Sequence, residues 1–253
     1  MDRAETPRVV AFDGVGLGYP GGTEVLHDVT FSLDSGSFHF LTGPSGAGKT
    51  SLLRLMYLAV RPTRGTLTLF GQDITRTSRR RLPDLRRRIG VVFQDFRLIR
   101  HLSAFDNVAL PLRIAGAPDA DVRRNVCELL QWVGLEAQSG MAPATLSGGQ
   151  QQLVAVARAV IARPRLLLAD EPTGNVDERV ARRLMYLFEE LNRLGTTVLV
   201  ATHDEGLVRR YRHPRLALKD GALAALPAVR TAETVTVPPR ADGTPLRPQP
   251  VPG

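Results

Sequence analysis

Residues Gly43-Pro44-Ser45-Gly46-Ala47-Gly48-Lys49-Thr50, with Ser51 behind them, fit the spacing G-x-x-x-x-G-K-[ST]. Glycines at these places let the backbone bend until successive N–H groups point inward, and a helix opening at the lysine adds partial positive charge. That is the chemistry of a polyphosphate cradle: Lys49 reaches the β- and γ-phosphates, and the Thr50 hydroxyl ligates a bridging Mg²⁺. Far downstream, Asp170-Glu171 close the apolar run Leu166-Leu167-Leu168-Ala169. Beside a phosphate cradle, Asp170 would hold the metal and Glu171 would orient or deprotonate the water attacking the γ-phosphate. Gln94, after the apolar run Ile89-Gly90-Val91-Val92-Phe93, can contact the metal or that water. His203, after Thr197-Val198-Leu199-Val200-Ala201, can donate to the γ-phosphate. Leu146-Ser147-Gly148-Gly149-Gln150 opens another helix with a serine and two glycines, a second anion-binding turn. It lies too far along the chain to join the first by local folding, so the two turns imply a shared nucleotide.

The elements that must hold these groups are legible around them. Phe38-His39-Phe40-Leu41-Thr42 reads as the strand before the cradle, and Ser51-Leu52-Leu53-Arg54-Leu55-Met56 as the helix after it. Val9-Val10-Ala11-Phe12, Val29-Thr30-Phe31-Ser32-Leu33 and Thr66-Leu67-Thr68-Leu69-Phe70 predict an antiparallel N-terminal sheet. Tyr19 falls in the turn-rich loop between the first two strands, where an aromatic ring can stack on a purine or simply pack half-buried. From Asp95 to about residue 145 the pattern is helical, clearest over 119–132 with Gly134 as a stop, and the loop just after Gln94 is expected to move freely. The apolar clusters at 96–99 and 108–112 suit either core packing or a groove for a partner helix. Arg76, Arg79, Arg80, Arg81, Arg86, Arg87 and Arg88 form a basic segment, read as a solvated face ahead of a lipid-docking surface.

Composition narrows the classes. The 253 residues, 43% of them hydrophobic, suffice for one large or two small domains. No apolar run is long enough to cross a bilayer, and Met1-Asp2-Arg3-Ala4-Glu5 lacks a signal-peptide core, so a cytoplasmic location is expected. Cys127 is the only cysteine, which excludes an intrachain disulfide; it is expected to be a small buried residue. The net charge of +8 favours anionic surfaces without choosing among them. Lys49 and Lys219 are the only lysines, and no Asn-Lys-x-Asp sequence for reading a guanine base occurs. Past Leu226 the chain turns to Pro, Thr, Ala and Arg, and residues 227–253 are expected to form a flexible tail.

Taken together, these segments resemble the ATP-binding-cassette ATPases from about residue 9 to about residue 226. The phosphate loop 43–50, the glutamine Gln94, the signature 146–150, the carboxylate pair Asp170-Glu171 and the switch histidine His203 occur in the family's order. The signature pentapeptide is specific to this family among phosphate-loop proteins. The resemblance implies an α/β fold: a P-loop NTPase cassette with a RecA-like core, an N-terminal antiparallel β subdomain and an inserted α-helical subdomain at about 95–157. It implies ATP bound by Tyr19 and residues 43–51, Mg²⁺ held by Thr50, Gln94 and Asp170, and catalysis by Glu171, His203 and Gln94. It further implies a head-to-tail homodimer in the ATP-bound state, with Leu146, Ser147, Gly148, Gly149 and Gln150 acting in trans and Asn175 and Asp177 in the intervening D-loop.

Within the family, Val92-Phe93-Gln94-Asp95-Phe96-Arg97-Leu98, Asp106-Asn107-Val108-Ala109-Leu110-Pro111-Leu112, Ile114-Ala115-Gly116 and the stretch from Leu168 to Asn175 look most like its cell-division members. Those members work with an integral membrane subunit on the cytoplasmic face of the inner membrane to control cell-wall hydrolysis. Lipoprotein-releasing and macrolide-exporter ATPases share much of the same sequence. DNA-repair relatives interrupt the cassette with long coiled coils, which this chain lacks, so no nucleic-acid partner is expected. One departure stands out: the family's arginine after the signature is replaced by Leu153, which puts a signature-helix contact in question.

Overall fold

The computed structural model describes residues 7–174 and 176–224. Strands β1 (Arg8–Gly18) and β2 (Glu24–Asp34) pair as a long antiparallel hairpin, joined by β4 (Arg64–Leu69) and the two-residue β5 (Gln72–Asp73) in the order β2-β1-β4-β5. Between them in sequence come β3 (Phe38–Thr42) and the phosphate-loop helix α1 (Lys49–Met56). The arginine segment forms a 3₁₀ turn at Arg79–Arg81 and a short helix α2 (Leu82–Arg86) leading into β6 (Ile89–Val92). Its side chains are solvated, as expected: Arg76 pairs with Asp73 and Arg87 with Asp84, both at the surface.

Three helices follow: α3 (Ala104–Ile114), α4 (Asp119–Val133) and α5 (Gly148–Val160). Then β7 (Leu166–Asp170), α6 (Glu178–Arg193), β8 (Thr197–Ala201), α7 (Glu205–Tyr211), β9 (Arg215–Lys219) and β10 (Ala222–Ala224) complete the described chain. Strands β9, β3, β8, β7 and β6 lie side by side in parallel, with β10 antiparallel at one edge. The expectation of an N-terminal antiparallel sheet, a parallel core and an inserted helical layer is met. The expected tail at 227–253 lies outside the described residues.

The parallel strands are apolar throughout because both faces of their sheet are covered. Every residue of β7 and β8 is buried, and alternation along each strand divides the interior into two cores. Phe40, Val92, Leu167, Ala169, Val198 and Val200 belong to one core, packed with α3, α4, α5 and α6. Leu41, Leu166, Leu168, Leu199 and Ala201 belong to the other, packed with α1 and the antiparallel sheet.

Helix α4 buries Val122, Val126, Leu130 and Val133 on one stripe and ends at Gly134, whose φ of 72° is the left-handed cap that the sequence predicts. Cys127 corrects an expectation: it is exposed, because it follows Val126 by one residue and so lies about 100° round the helix from the buried stripe. The apolar cluster at 108–112 goes to the core at its start, with Val108 and Ala109 fully buried. Leu98, Phe105 and Leu112 pack on the same core while partly accessible.

Candidate functional site

The parallel register decides where the chemistry gathers. Leu41 pairs with Ala201, Ala201 with Asp170, and Ala169 with Val92. The residues that follow these strand ends therefore emerge along one edge: the phosphate loop after β3, Gln94 after β6, Glu171 after β7 and His203 after β8. Ligands of open α/β sheets bind at this carboxyl edge. The loop itself is shaped by its glycines. Gly43 has a φ of 150°, and a Cβ there would lie 2.1 Å from the Leu218 carbonyl oxygen. Gly48 caps α1 at a φ of 102°, where a Cβ would press to 2.8 Å from the Leu26 side chain. The backbone is thus wedged against β2 and β9, and side chains at these two places would fill or displace the cradle.

Lys49 is only 9% exposed. Its Nζ donates to the carbonyls of Gly43 at 2.7 Å and Pro44 at 3.1 Å, so the ammonium is folded over the loop it belongs to. The first turn of α1 carries no acidic residue that would oppose an anion. Thr50 Oγ1 donates to Asp170 Oδ2 at 2.9 Å, joining α1 to the end of β7. Burial pushes the Asp170 carboxyl above its usual range, with the Glu171 charge adding to the rise and Thr50 and Lys49 opposing it. A hydroxyl and a carboxylate held together form a hard-oxygen donor pair that suits a small divalent cation beside a phosphate cradle.

Glu171 sits at a φ of 47°, a left-handed conformation unusual for a residue of its size. Its N–H donates to the Ala201 carbonyl at 2.9 Å, and its own carbonyl accepts from Gly174 N at 3.2 Å. His203, expected to address the γ-phosphate, places Nδ1 2.8 Å from Glu171 Oε1. A carboxylate only accepts, so Nδ1 carries the proton in this contact, and Nε2 can donate outward only in the doubly protonated ring. His203 is otherwise open, its side chain 72% exposed.

Gln94 is exposed and its side chain has no protein partner among the described residues. The loop after it, expected to move freely, makes several contacts in this conformation. Phe96 and Arg97 both take positive φ, 58° and 48°, and their carbonyls accept from the Arg158 guanidinium at 2.8 and 2.7 Å. Arg97 lies over the Phe93 ring at 4.3 Å and pairs with Asp95 at 3.1 Å. Arg158 comes from the last turn of α5, and burial lowers its pKa. Sequence reading passed over it, since its partners are carbonyls that only the fold puts within reach.

The signature turn stands apart from all this. Ser147 caps α5 in a reciprocal box, accepting from Gln150 N at 3.3 Å while its N–H donates to Gln150 Oε1 at 2.8 Å. Leu146 is buried, Ser147 and Gly148 are exposed, and no hydrogen bond joins 146–150 to the phosphate loop among the described residues. Leu153, where the family has arginine, packs into the core at 7% exposure. Gln152, also passed over in the sequence, is buried and donates from Nε2 to the Pro172 carbonyl at 2.8 Å. Asp177 caps α6 by accepting from Val180 N at 2.9 Å. Asn175 lies outside the described residues. Tyr19 is half-buried beside α1, its hydroxyl 3.3 Å from Ser51 Oγ. Burial raises the Tyr19 pKa, but Ser51 and Arg54 outweigh it and hold the phenol below its usual range. The structure therefore brings together the loop, Asp170, Glu171 and His203, puts Tyr19 against the loop's helix, and leaves the signature facing outward.

The ABC transporter family matches residues 26–174. The chain belongs to this family of ATP-binding cassettes and is an ATPase. Among relatives, the cell division ATP-binding protein FtsE of Escherichia coli K12 is 48% identical over 215 residues, which span 85% of this chain and 97% of FtsE. FtsE of Mycobacterium tuberculosis is 45% identical over 198 residues, 78% of this chain and 86% of that one. Among solved structures, the cassette MJ0796, a dimer in a post-hydrolysis state bound to ADP and Pi, superposes with a TM-score of 0.80. It is 34% identical, and the match covers 85% of this chain and 97% of that one.

Proposed function

We propose that this chain is the ATP-hydrolysing subunit of an FtsE-type membrane complex. It works as an ATP-closed homodimer that drives an integral membrane FtsX-like subunit and so regulates cell-wall hydrolysis at division. The observation that carries the reading is identity of 48% along 97% of FtsE, nearly all of the relative's length. Residues 43–51 and Tyr19 bind ATP, and Thr50 and Asp170, with Gln94, hold Mg²⁺, which when bound neutralises phosphate charge. Glu171 orients and deprotonates the attacking water, and His203 holds Glu171 in place through the 2.8 Å contact. The exposed Ser147 and Gly148, with the half-buried Gly149, complete the partner's site, a role that suits a helix start offering free N–H groups. None of the described helices is long and apolar enough to cross a membrane; in the proposed complex the chain works at the cytoplasmic face, with its membrane subunit spanning the bilayer.

Glu171→Gln should abolish turnover, by about 10²- to 10⁴-fold, while a stable ATP-bound dimer accumulates in size-exclusion chromatography. Normal hydrolysis in that variant would remove Glu171 from the role. Affinity capture from native membranes should recover an FtsX-like subunit; recovery of a lipoprotein-release or exporter permease would overturn the division reading.

A further inference from the structure

We propose that Gln152 is a positioning residue for hydrolysis: its buried amide fastens the catalytic loop after β7 to the signature helix α5 of the same chain. This rests on Glu171 being the residue that activates water. Gln152 is 2% exposed and donates to the Pro172 carbonyl at 2.8 Å. Pro172 directly follows Glu171 and is itself buried. Having no N–H, it can be gripped by hydrogen bonding only through its carbonyl. Glu171 meanwhile holds a left-handed φ of 47° that an L side chain adopts only when its surroundings enforce it. Its N–H is fixed to β8 and its carbonyl to Gly174; the contact of Gln152 with the Pro172 carbonyl supplies a third tie, to α5.

The start of the same helix runs beside the loop further on: a Cβ added at Gly149 would lie 3.9 Å from the Val176 side chain. The exposed start of α5 and its second turn therefore have different duties. Ser147 and Gly148 face outward, and Gln152 faces the group next to the catalytic carboxylate. In a closed pair the signature of one subunit meets the nucleotide of the other, while its own Glu171 acts on its own nucleotide. A shift of α5 caused by one nucleotide is handed through Gln152 to the carboxylate serving the second. An amide donor held in the interior transmits displacement because breaking it leaves a buried polar group unsatisfied.

The test uses the full-length chain and steady-state ATP hydrolysis. Gln152→Met keeps the side-chain length and removes the donor. It should lower kcat about tenfold to a hundredfold, as a small misplacement of a catalytic group does, while KM for ATP stays within about twofold and the melting temperature falls by only a few degrees, the cost of one unpaired buried carbonyl. An unchanged kcat would overturn the proposal, and so would parallel losses in kcat, KM and melting temperature, which mean only a damaged core. Gln152→Glu gives a second readout. Ionised, the new carboxyl cannot donate to Pro172; protonated, its O–H can. The activity of this variant relative to the unaltered chain should therefore rise as pH falls, and a ratio independent of pH would refute the assigned hydrogen bond. If Glu171→Gln is inactive and Gln152→Met is normal, only this proposal fails; if Glu171→Gln turns over normally, the underlying catalytic assignment fails.

Discussion

The phosphate loop and the signature turn are both glycine-bearing starts of helices that offer N–H groups to an anion, yet they are finished in opposite ways. At the loop, α1 is wedged between β2 and β9, and Lys49 is buried with its ammonium on the loop's own carbonyls. At the signature, Ser147 and Gly148 are exposed, and the serine's hydrogen bonds are satisfied within α5. The first is a cradle folded on its own lysine and its own carbonyls. The second is an exposed turn, and on the proposed function the two respond to different events: the loop to nucleotide arrival, the signature to a second subunit.

Substitutions should separate these roles. Lys49→Ala should cost the most, weakening ATP binding about 10- to 100-fold, as loss of a charge-assisted hydrogen bond does; equilibrium dialysis on the isolated chain measures it. Gly149→Asp should leave that binding intact, because a Cβ there makes only an ordinary contact with Val176 and a carboxylate in the first turn suits the helix. It should nonetheless abolish ATP-dependent dimerisation and turnover. Mixing the two inactive variants rebuilds one composite site per mixed dimer, so hydrolysis that neither shows alone should return. Silence in the mixture would mean that both turns act on a single nucleotide in cis.

The smallest expected shift is in the melting temperature of Asp170→Asn. Burial holds the Asp170 pKa above its unfolded value, so between the two values the native state keeps a proton that the unfolded chain releases. Stability therefore falls as pH rises through that window, and above it the carboxylate is a net cost to folding. Removing the charge should raise the melting temperature at neutral pH while hydrolysis is lost, a trade between stability and function. A lower melting temperature would mean that the hydrogen bond from Thr50 outweighs burial.

Much of this was readable from residue order. The phosphate loop announces itself by spacing, β7 by an unbroken apolar run, and the end of α4 by Gly134. All of these are local signals. What was not readable depends on partners distant in the chain. Gln152 is one glutamine among three in succession, and only the fold shows that it, and not Gln151, reaches a carbonyl twenty positions on. Arg158 is invisible in the same way, since its acceptors exist only because Phe96 and Arg97 turn left-handed. The expectation for Cys127 failed for a different reason: residue type was allowed to outvote the stripe of Val122, Val126 and Leu130, which already placed position 127 off the buried face.

Strand β7 separates two cores while belonging to both, Leu166 and Leu168 facing one and Leu167 and Ala169 the other. The helical layer bearing the signature and the antiparallel sheet bearing Tyr19 can each loosen by shedding their own packing, and local opening of that kind is the ordinary condition of folded proteins. The partition itself has no such freedom. The strand that ends at Asp170, with Glu171 directly after it, is therefore held from both sides, and the site inherits its steadiness from a shared wall.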